Sequence, residues 1–210
     1  MKLPNVRATF WKKNGVTYRN KTKIIFDGKC GKCNGIVLML NPGSCKPQEG
    51  EGVIKEEEQE LPCNFNNDIT IKNVSNCVRE AYGNDQLPNY VFIANISEKR
   101  DTKSKNLSKE DFREFDHIID EIKNKIDEHP KQVKWIWIAF GKDSNGKDKE
   151  TRIKLKELKE KISNQLNELF PDKIIGKGVK YKHPNQRKIK EYAEYKKSIV
   201  NEMKSKLYDP

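Results

Sequence analysis

An asparagine, a proline and a glycine follow directly on an apolar run in the stretch GIVLMLNPGSCKP, residues 35–47. The amide of Asn41 carries both a hydrogen-bond donor and an acceptor, so it can hold a water molecule or the polar edge of a nucleobase. Pro42 fixes the turn, and Gly43, which precedes Ser44, lets the backbone come close to a ligand. The alternative is that Asn41 only shapes the turn, which is a common use of asparagine.

Three further polar or glycine-containing turns follow apolar runs. Asn95 ends the run FIAN, Gly141 and Lys142 follow the run VKWIWIAF, and His183 lies in YKHPNQR, residues 181–187. In open α/β sheets, ligands bind outside the carboxyl ends of the strands, and the loops there carry the chemistry. If the apolar runs are parallel strands, these side chains meet the asparagine turn at one edge of the sheet. Asn95 could equally cap a helix or a turn.

Five cysteines form no secreted disulfide framework, because their number is odd and they are spread along the chain as Cys30, Cys33, Cys45, Cys63 and Cys77. The segment CGKC, residues 30–33, is half of a zinc or iron–sulfur site. Its second half is missing, since Cys45 and Cys63 are not a close pair and a strand over 35–40 separates Cys33 from Cys45. We expect a turn with incidental thiols and no metal or other cofactor, whereas a loop that folds back would allow a four-thiolate site.

Four short apolar runs, separated by segments with helical spacing, are the candidate core strands. They are residues 35–40, 90–94, 133–140 and 173–178. This alternation predicts an α/β fold, a three-layer α/β/α sandwich with a mostly parallel four-stranded sheet. Ahead of it, residues 8–26 predict an N-terminal β-hairpin that turns at Asn14-Gly15. Trp135 and Trp137 alternate with isoleucines in the third run, which favours core packing over base stacking.

Apolar residues at helical spacing predict four helices. The first covers residues 68–82 and stops at Gly83, with Asp68 either as its N-cap or as a second catalytic carboxylate. The second begins after Ser108 as N-cap and stops before Pro130. The third carries the leucines between Leu155 and Leu169, and the last is a basic C-terminal helix at about 187–207. The acidic stretch at about 46–62 is too polar to pack, so we expect an exposed, mobile loop there.

Length indicates the number of domains, and net charge indicates the kind of partner. The 210 residues fit one domain, 1–210, and 42 Lys and Arg against 31 Asp and Glu give a net charge of +11. Such a surface suits a polyanionic partner such as DNA, although part of the lysine content is a compositional habit of the chain. No run of 18 apolar residues and no apolar leader segment is visible. We therefore expect a cytoplasmic monomer with no membrane partner.

The motifs together resemble the uracil-DNA glycosylase superfamily, in particular its mismatch-specific and single-strand-selective branches with Asn-Pro-Gly after a core strand. KHPNQR is similar to the late His-Pro-Ser-Pro motif, with Asn185 in place of serine, and FIAN is similar to the strand that ends in a pyrimidine-reading asparagine. A closer likeness is to a bacterial and phage family without an assigned function, whose signature is a Met-Leu-Asn-Pro-Ser strand end. The first motif here lacks the aspartate that the most active uracil enzymes use as a base.

The resemblance implies a monofunctional DNA glycosylase that flips out a uracil, a mismatched pyrimidine or a modified pyrimidine and hydrolyses its N-glycosidic bond. Asn41 would orient the water, His183 would donate a hydrogen bond to a carbonyl oxygen of the leaving base, and Asn95 would read its polar edge. Phe65 would stack on the base. The other expected substrate contacts are Pro42, Gly43, Ser44, Gly141 and Lys142. The expected DNA contacts are Pro184, Asn185, Gln186, Arg187, Lys188 and Lys190, and the first four stand where the superfamily inserts a wedge.

Two other classes of function use the same residues. One is a non-catalytic nucleic-acid-binding protein on the same scaffold, with a role in host–phage conflict. The other is an enzyme acting on free nucleotides or nucleosides, which would share the site but would not need the basic surface.

Overall fold

The computed structural model describes residues 4–26, 31–66, 68–83, 86–101, 104–141, 146–176, 184 and 189–208. Within them, eight strands form one mixed sheet. In chain order they are β1 (Asn5–Lys13), β2 (Val16–Ile25), β3 (Cys33–Met39), β4 (Lys46–Pro47), β5 (Gln59–Asn64), β6 (Tyr90–Asn95), β7 (Trp135–Ala139) and β8 (Ile174–Ile175). Across the sheet the order is β4-β5-β1-β2-β6-β3-β7-β8.

The predicted sheet of four mostly parallel strands is wrong. The four apolar runs supply β3, β6, β7 and β8, which pair in parallel, but the pairings of β4 with β5, β5 with β1, β1 with β2 and β2 with β6 are all antiparallel. The N-terminal hairpin does not precede the sheet but extends it. Thr22–Ile25 lie opposite Tyr90–Ile93, and Ile24 is fully buried there, because the apolar face of β2 continues the core.

The hairpin turns where the sequence predicts it. Lys13 pairs with Val16, which leaves Asn14 and Gly15 as a two-residue loop with φ values of 51° and 73°. Positive φ at both positions is the backbone of a type I′ turn, whose twist matches that of the flanking strands. The turn fixes the register of the hairpin and therefore decides which side chains of β2 face the core.

The acidic stretch is not an unpacked loop, contrary to prediction, because it contains β4, a 3₁₀ turn over Glu51–Val53 and β5. The Glu60 carboxylate bridges two basic side chains of the hairpin, at 2.7 Å from Arg7 Nε and 2.6 Å from Lys23 Nζ. Partial burial raises the pKa of Glu60, but the hydrogen bonds from Lys23 and Arg7 outweigh it and leave the pKa below its ordinary value. The carboxylates that made the stretch look unstructured therefore compensate the basic hairpin beside it.

Four helices cover the two faces of the sheet. They are α1 (Ile69–Tyr82), α2 (Phe115–Glu128), α3 (Lys149–Leu169) and α4 (Ile189–Tyr208). Buried side chains of α1 and α4 share one core cluster with β1 and β2, whereas those of α2 and α3 share a second cluster on the other face. We call the first of these the α1/α4 face. No helix within the described ranges is long and apolar enough to cross a membrane.

The second helix begins later than predicted. Ser108 caps a single 3₁₀ turn, in which Asp111 Oδ2 accepts hydrogen bonds from Ser108 N at 2.7 Å and from Ser108 Oγ at 3.0 Å. Phe112 then forms a β-bridge with Ser97, so the chain is extended before α2 starts at Phe115. The capping signal at Ser108 was therefore real, but the turn ends where Phe112 pairs with Ser97.

The tryptophans of β7 belong to the core, as expected. Trp135 and Trp137 are fully buried, and β7 is covered on both faces. A Cβ atom added to Gly35 would lie 2.2 Å from the Trp135 ring, so glycine in the middle of β3 makes room for the indole. β3 and β7 also end side by side, with Met39 opposite Ala139, so the loops after both strands leave the sheet next to each other.

Candidate functional site

The turn after β3, residues 41–45, leaves the sheet at the carboxyl ends of the parallel strands. We call it the Asn41 turn. Asn41 is half-buried, and its Nδ2 donates to the carbonyl oxygens of Asp101 at 2.7 Å and of Pro42 at 3.4 Å. Because the carbonyl of Asp101 needs a donor, the amide orientation is fixed and Oδ1 is the acceptor. Oδ1 has no partner among the described residues, so it can accept a hydrogen bond from a water molecule.

The Asn41 turn rests on Asp68, the N-cap of α1. Asp68 is 4% exposed; its Oδ1 accepts from Ile71 N at 3.1 Å and its Oδ2 from Cys45 N at 3.2 Å. A Cβ atom on Gly43 would lie 3.1 Å from the same Oδ2. Of the two roles predicted for Asp68, the structure therefore shows the cap. Gly43 brings the backbone close to this carboxylate, where the sequence suggested a ligand.

Asn95 is the last residue of β6 and lies beside Met39, the last residue of β3, in the parallel register. Ile93 packs in the core beneath α1 and α4, and residues two apart in a strand share a face, so the Asn95 side chain is directed to the α1/α4 face. It is 1% exposed, and neither Oδ1 nor Nδ2 has a hydrogen-bond partner in the described part of the chain. A buried polar group without a partner costs about 1–3 kcal/mol, so this amide needs an explanation.

Arg19 of β2 is a residue that the sequence analysis missed. It pairs with Phe10, whose ring lies in the core of the α1/α4 face, so the two side chains share that face. Arg19 is 1% exposed, its Nη1 donates to Cys45 O at 3.1 Å, and its Nε has no partner among the described residues. The signal was available, because the Asn14-Gly15 turn sets the register that places an arginine opposite a phenylalanine.

A second arginine, Arg100, also donates hydrogen bonds to backbone carbonyls of the Asn41 turn. Its Nε donates to Cys45 O at 3.0 Å, its Nη2 to Ser44 O at 3.3 Å, and its Nη1 to the Glu51 carboxylate at 2.9 Å. Two guanidinium groups therefore converge on the carbonyl of Cys45. Arg100 is compensated by Glu51, whereas Arg19 forms no ion pair with a described carboxylate.

Cys45 and Cys63 are neighbours, contrary to the sequence analysis, because β4 pairs with β5 in a stretch that was expected to be a loop. A hydrogen bond from the Cys63 thiol holds the pKa of Cys45 below its ordinary value; burial opposes this, and Arg19 and Arg100 add to the lowering. The same contact raises the pKa of Cys63. Within the described ranges, no three His, Cys, Asp or Glu side chains are grouped as a metal site.

Pro184, the one residue of the motif YKHPNQR that the structure describes, contacts α1. Pro184 is buried, and its carbonyl oxygen accepts from Asn73 Nδ2 of α1 at 3.1 Å, while Asn73 Oδ1 accepts from the Tyr192 hydroxyl of α4 at 3.0 Å. Asn73 lies five residues after the Asp68 cap, or about 7.5 Å along the helix. The N-terminal half of α1 therefore contacts both the Asn41 turn and the residue that follows His183.

The other predicted contacts divide into three groups. Pro42 is buried, whereas Gly43 and Ser44 are half-buried in the turn. Phe65 is 8% exposed and packs in the core of the α1/α4 face. Gly141 has φ 81°, and its carbonyl oxygen accepts from Lys159 Nζ at 3.3 Å. The following lie outside the described part of the chain: Cys30, Lys142, His183, Asn185, Gln186, Arg187, Lys188 and the side chain of Lys190.

Comparison with protein-family models, with curated proteins and with solved structures found no match to this chain. The likeness to the uracil-DNA glycosylase superfamily therefore stays a prediction from the motifs.

Proposed function

We propose that the protein is a DNA glycosylase-like enzyme that hydrolyses the N-glycosidic bond of a flipped uracil, mismatched pyrimidine or modified pyrimidine. The observation that carries the proposal is the buried amide of Asn95. It offers a donor and an acceptor with no partner among the described residues, at the carboxyl end of β6 and beside the Asn41 turn. The edge of uracil or thymine presents the complementary pair, a carbonyl oxygen and a ring N–H.

The contacts of Asn41 and the motif that contains His183 support the roles proposed for these two residues. Asn41, with its Nδ2 held by Asp101 O at 2.7 Å, presents Oδ1 to the attacking water. His183 donates to a carbonyl oxygen of the leaving base, a role that the motif resemblance implies and that the anchoring of Pro184 on α1 supports. Such placed groups act on developing charge and on the orientation of water and do not need a strong nucleophile.

The proposed partner is DNA. The net charge of +11 suits a phosphate backbone, and α4, which covers the face to which Asn95 is directed, carries exposed lysines at 197 and 204. A substrate base has to leave the helix stack to reach a buried amide, and an extrahelical nucleotide can do so.

The test is to incubate the purified protein with single- and double-stranded oligonucleotides that contain uracil, mismatched thymine or modified pyrimidines, and to detect alkali-labile abasic sites. Asn41→Ala and His183→Ala should each lower base release about 10²-fold or more. The double variant should cost much less than the product, because groups that act as a unit are non-additive. Asn164→Ala, exposed on α3 on the far face, is the matched control and should leave release unchanged.

No release from any substrate would overturn the proposal. Tight DNA binding without release would favour the non-catalytic nucleic-acid-binding protein, and release only from free nucleosides would favour the nucleoside enzyme.

A further inference from the structure

Arg19 is a buried cation without a described counter-ion. Arg19 is 1% exposed and its Nη1 donates to the carbonyl oxygen of Cys45. Its Nε has no partner among the described residues. Burying a charge is costly unless it is paired and fully hydrogen-bonded. An arginine kept in this position is therefore suited to a ligand that brings a negative charge or an oxygen acceptor.

The free Nε of Arg19 belongs to a group of unpartnered polar atoms on one face. Thr22 lies opposite Ile93, and its Oγ1 is also buried with no partner in the described ranges. Thr22, like Asn95, shares the α1/α4 face of the β2–β6 pair, because Ile24 and Ile93 pack in that core. Arg19 contacts the Asn41 turn through its hydrogen bond to the carbonyl oxygen of Cys45. Together the three side chains offer a fixed cationic donor, a hydroxyl and an amide.

We propose that Arg19 is a catalytic residue that donates from Nε–H to an anionic oxygen of the departing pyrimidine, an inference that rests on the glycosylase function proposed above. The bond between C1′ and the base nitrogen breaks, and its electron pair leaves on the base, where the ring delocalises the charge onto a carbonyl oxygen. Water forms the new bond to C1′ and loses a proton, which finally neutralises the base. A guanidinium stays charged in proteins, so it stabilises this anion without a proton transfer of its own.

The first experiment compares leaving groups. A 5-fluoro substituent makes the departing uracil a more stable anion, which then needs less help from the protein. Arg19→Gln should therefore lower release of uracil by on the order of 10²-fold but lower release of 5-fluorouracil distinctly less, as expected for loss of one positioned charge-stabilising group. Arg19→Lys keeps the charge without the planar donors, so its rate of uracil release should lie between those of the wild-type protein and Arg19→Gln.

Arg152→Gln, on the exposed surface of α3, removes the same charge and is the matched control that should leave both rates unchanged. An equal loss for uracil and 5-fluorouracil in both Arg19 variants would overturn the inference while the glycosylase function stood.

The second experiment needs no catalysis. Barbiturate is a pyrimidine that is anionic at neutral pH, so it mimics the departing base, whereas free uracil is its neutral counterpart. Calorimetric titration of the wild-type protein should show barbiturate binding at least about tenfold tighter than uracil, and Arg19→Gln should abolish this difference. If the protein released no base from any oligonucleotide but kept this preference, the proposed function would fail and the anion site would stand. Equal affinity of the wild-type protein for both ligands, or no binding of either, would overturn the site.

Discussion

Asn95 combines a cost in stability with the base contact that we propose for it. Its amide is buried at the end of β6 with neither atom partnered among the described residues. Asn95→Leu replaces the amide by an apolar group of similar size, so it removes an unsatisfied donor and acceptor from the core. We expect the free energy of unfolding to stay the same or rise by about 1 kcal/mol, while base release falls at least about 10²-fold.

Urea unfolding of wild type and variant measures the first quantity, and the oligonucleotide assay measures the second. A stability loss above about 2 kcal/mol would mean that the amide is hydrogen-bonded in the folded protein, and the site would lose its main support.

Cys33 decides whether CGKC binds metal. The thiol is fully buried, its Sγ donates to Gly35 O at 3.4 Å, and burial raises its pKa to about 11. A metal ion would have to reach a fully buried thiol and break its hydrogen bond to Gly35 O, and the raised pKa adds to the cost of forming the thiolate that ligation needs. We predict no stoichiometric zinc or iron by elemental analysis and slow alkylation of Cys33 in the native protein but fast alkylation in urea.

The raised pKa also has a pH consequence. Stability from the neutral buried thiol is complete below the ordinary thiol pKa and is lost as pH rises toward about 11. Cys33→Ala should remove that part of the alkaline destabilisation. About one metal ion per chain in purified protein would contradict the prediction and show that the loop folds back onto CGKC.

At the scale of elements, the start of α1 supports the site. Asp68 caps the helix and also binds Cys45 N at 3.2 Å, whereas Asp148 caps α3 through Thr151 N at 2.7 Å at the protein surface. Asp68→Ala should cost on the order of 2–4 kcal/mol, because a cap and a buried hydrogen bond to a charged group are both lost. Asp148→Ala is the matched control and should destabilise less.

Activity of the folded fraction separates the two caps further. It should fall in Asp68→Ala, since the Asn41 turn loses its support, and stay at wild-type level in Asp148→Ala. Equal effects of the two variants on activity would show that the turn holds its geometry without Asp68.

Local patterns predicted some elements and failed for others for a physical reason. Apolar runs and the Asn14-Gly15 turn are determined by neighbouring residues, so β3, β6, β7, β8 and the hairpin occupy the predicted stretches of sequence, although the place of the hairpin in the sheet was not predicted. β5 was not predicted, because its residues QELPCN offer only Leu61 and Cys63 as alternating apolar positions, with a proline between them. The strand forms by pairing with β1, where Glu60 bridges Arg7 and Lys23. Arg19 was missed although the Asn14-Gly15 turn sets the register that places it opposite the buried Phe10.

For the whole molecule, basic side chains are exposed on both faces of the sheet, on α4 and on α3. The acidic stretch compensates the hairpin, whereas α4 presents Lys197 and Lys204 to solvent. We predict that DNA affinity falls steeply with salt, with a log–log slope of about −0.9 for each phosphate neutralised on duplex DNA. Lys197→Gln with Lys204→Gln should weaken binding and reduce the slope by roughly 1 to 2 units.

The matched control carries Lys154→Gln and Lys156→Gln on α3, which remove the same charge from the far face and should leave the slope unchanged. Fluorescence anisotropy over a salt series gives the slope for each variant. Affinity that does not change with ionic strength would contradict a phosphate-binding surface.

The pairing of the hairpin also has a consequence for synthesis on the ribosome. β1 and β2 are synthesised before β5 and β6, which pair with their outer edges and end at residues 64 and 95. Because synthesis proceeds at about 5–20 residues per second, both edges of the nascent hairpin stay unpaired for several seconds. Exposed strand edges recruit other chains unless charged side chains discourage it. Arg7 and Lys23, which pair with Glu60 in the finished protein, carry like charges that would disfavour association between nascent chains.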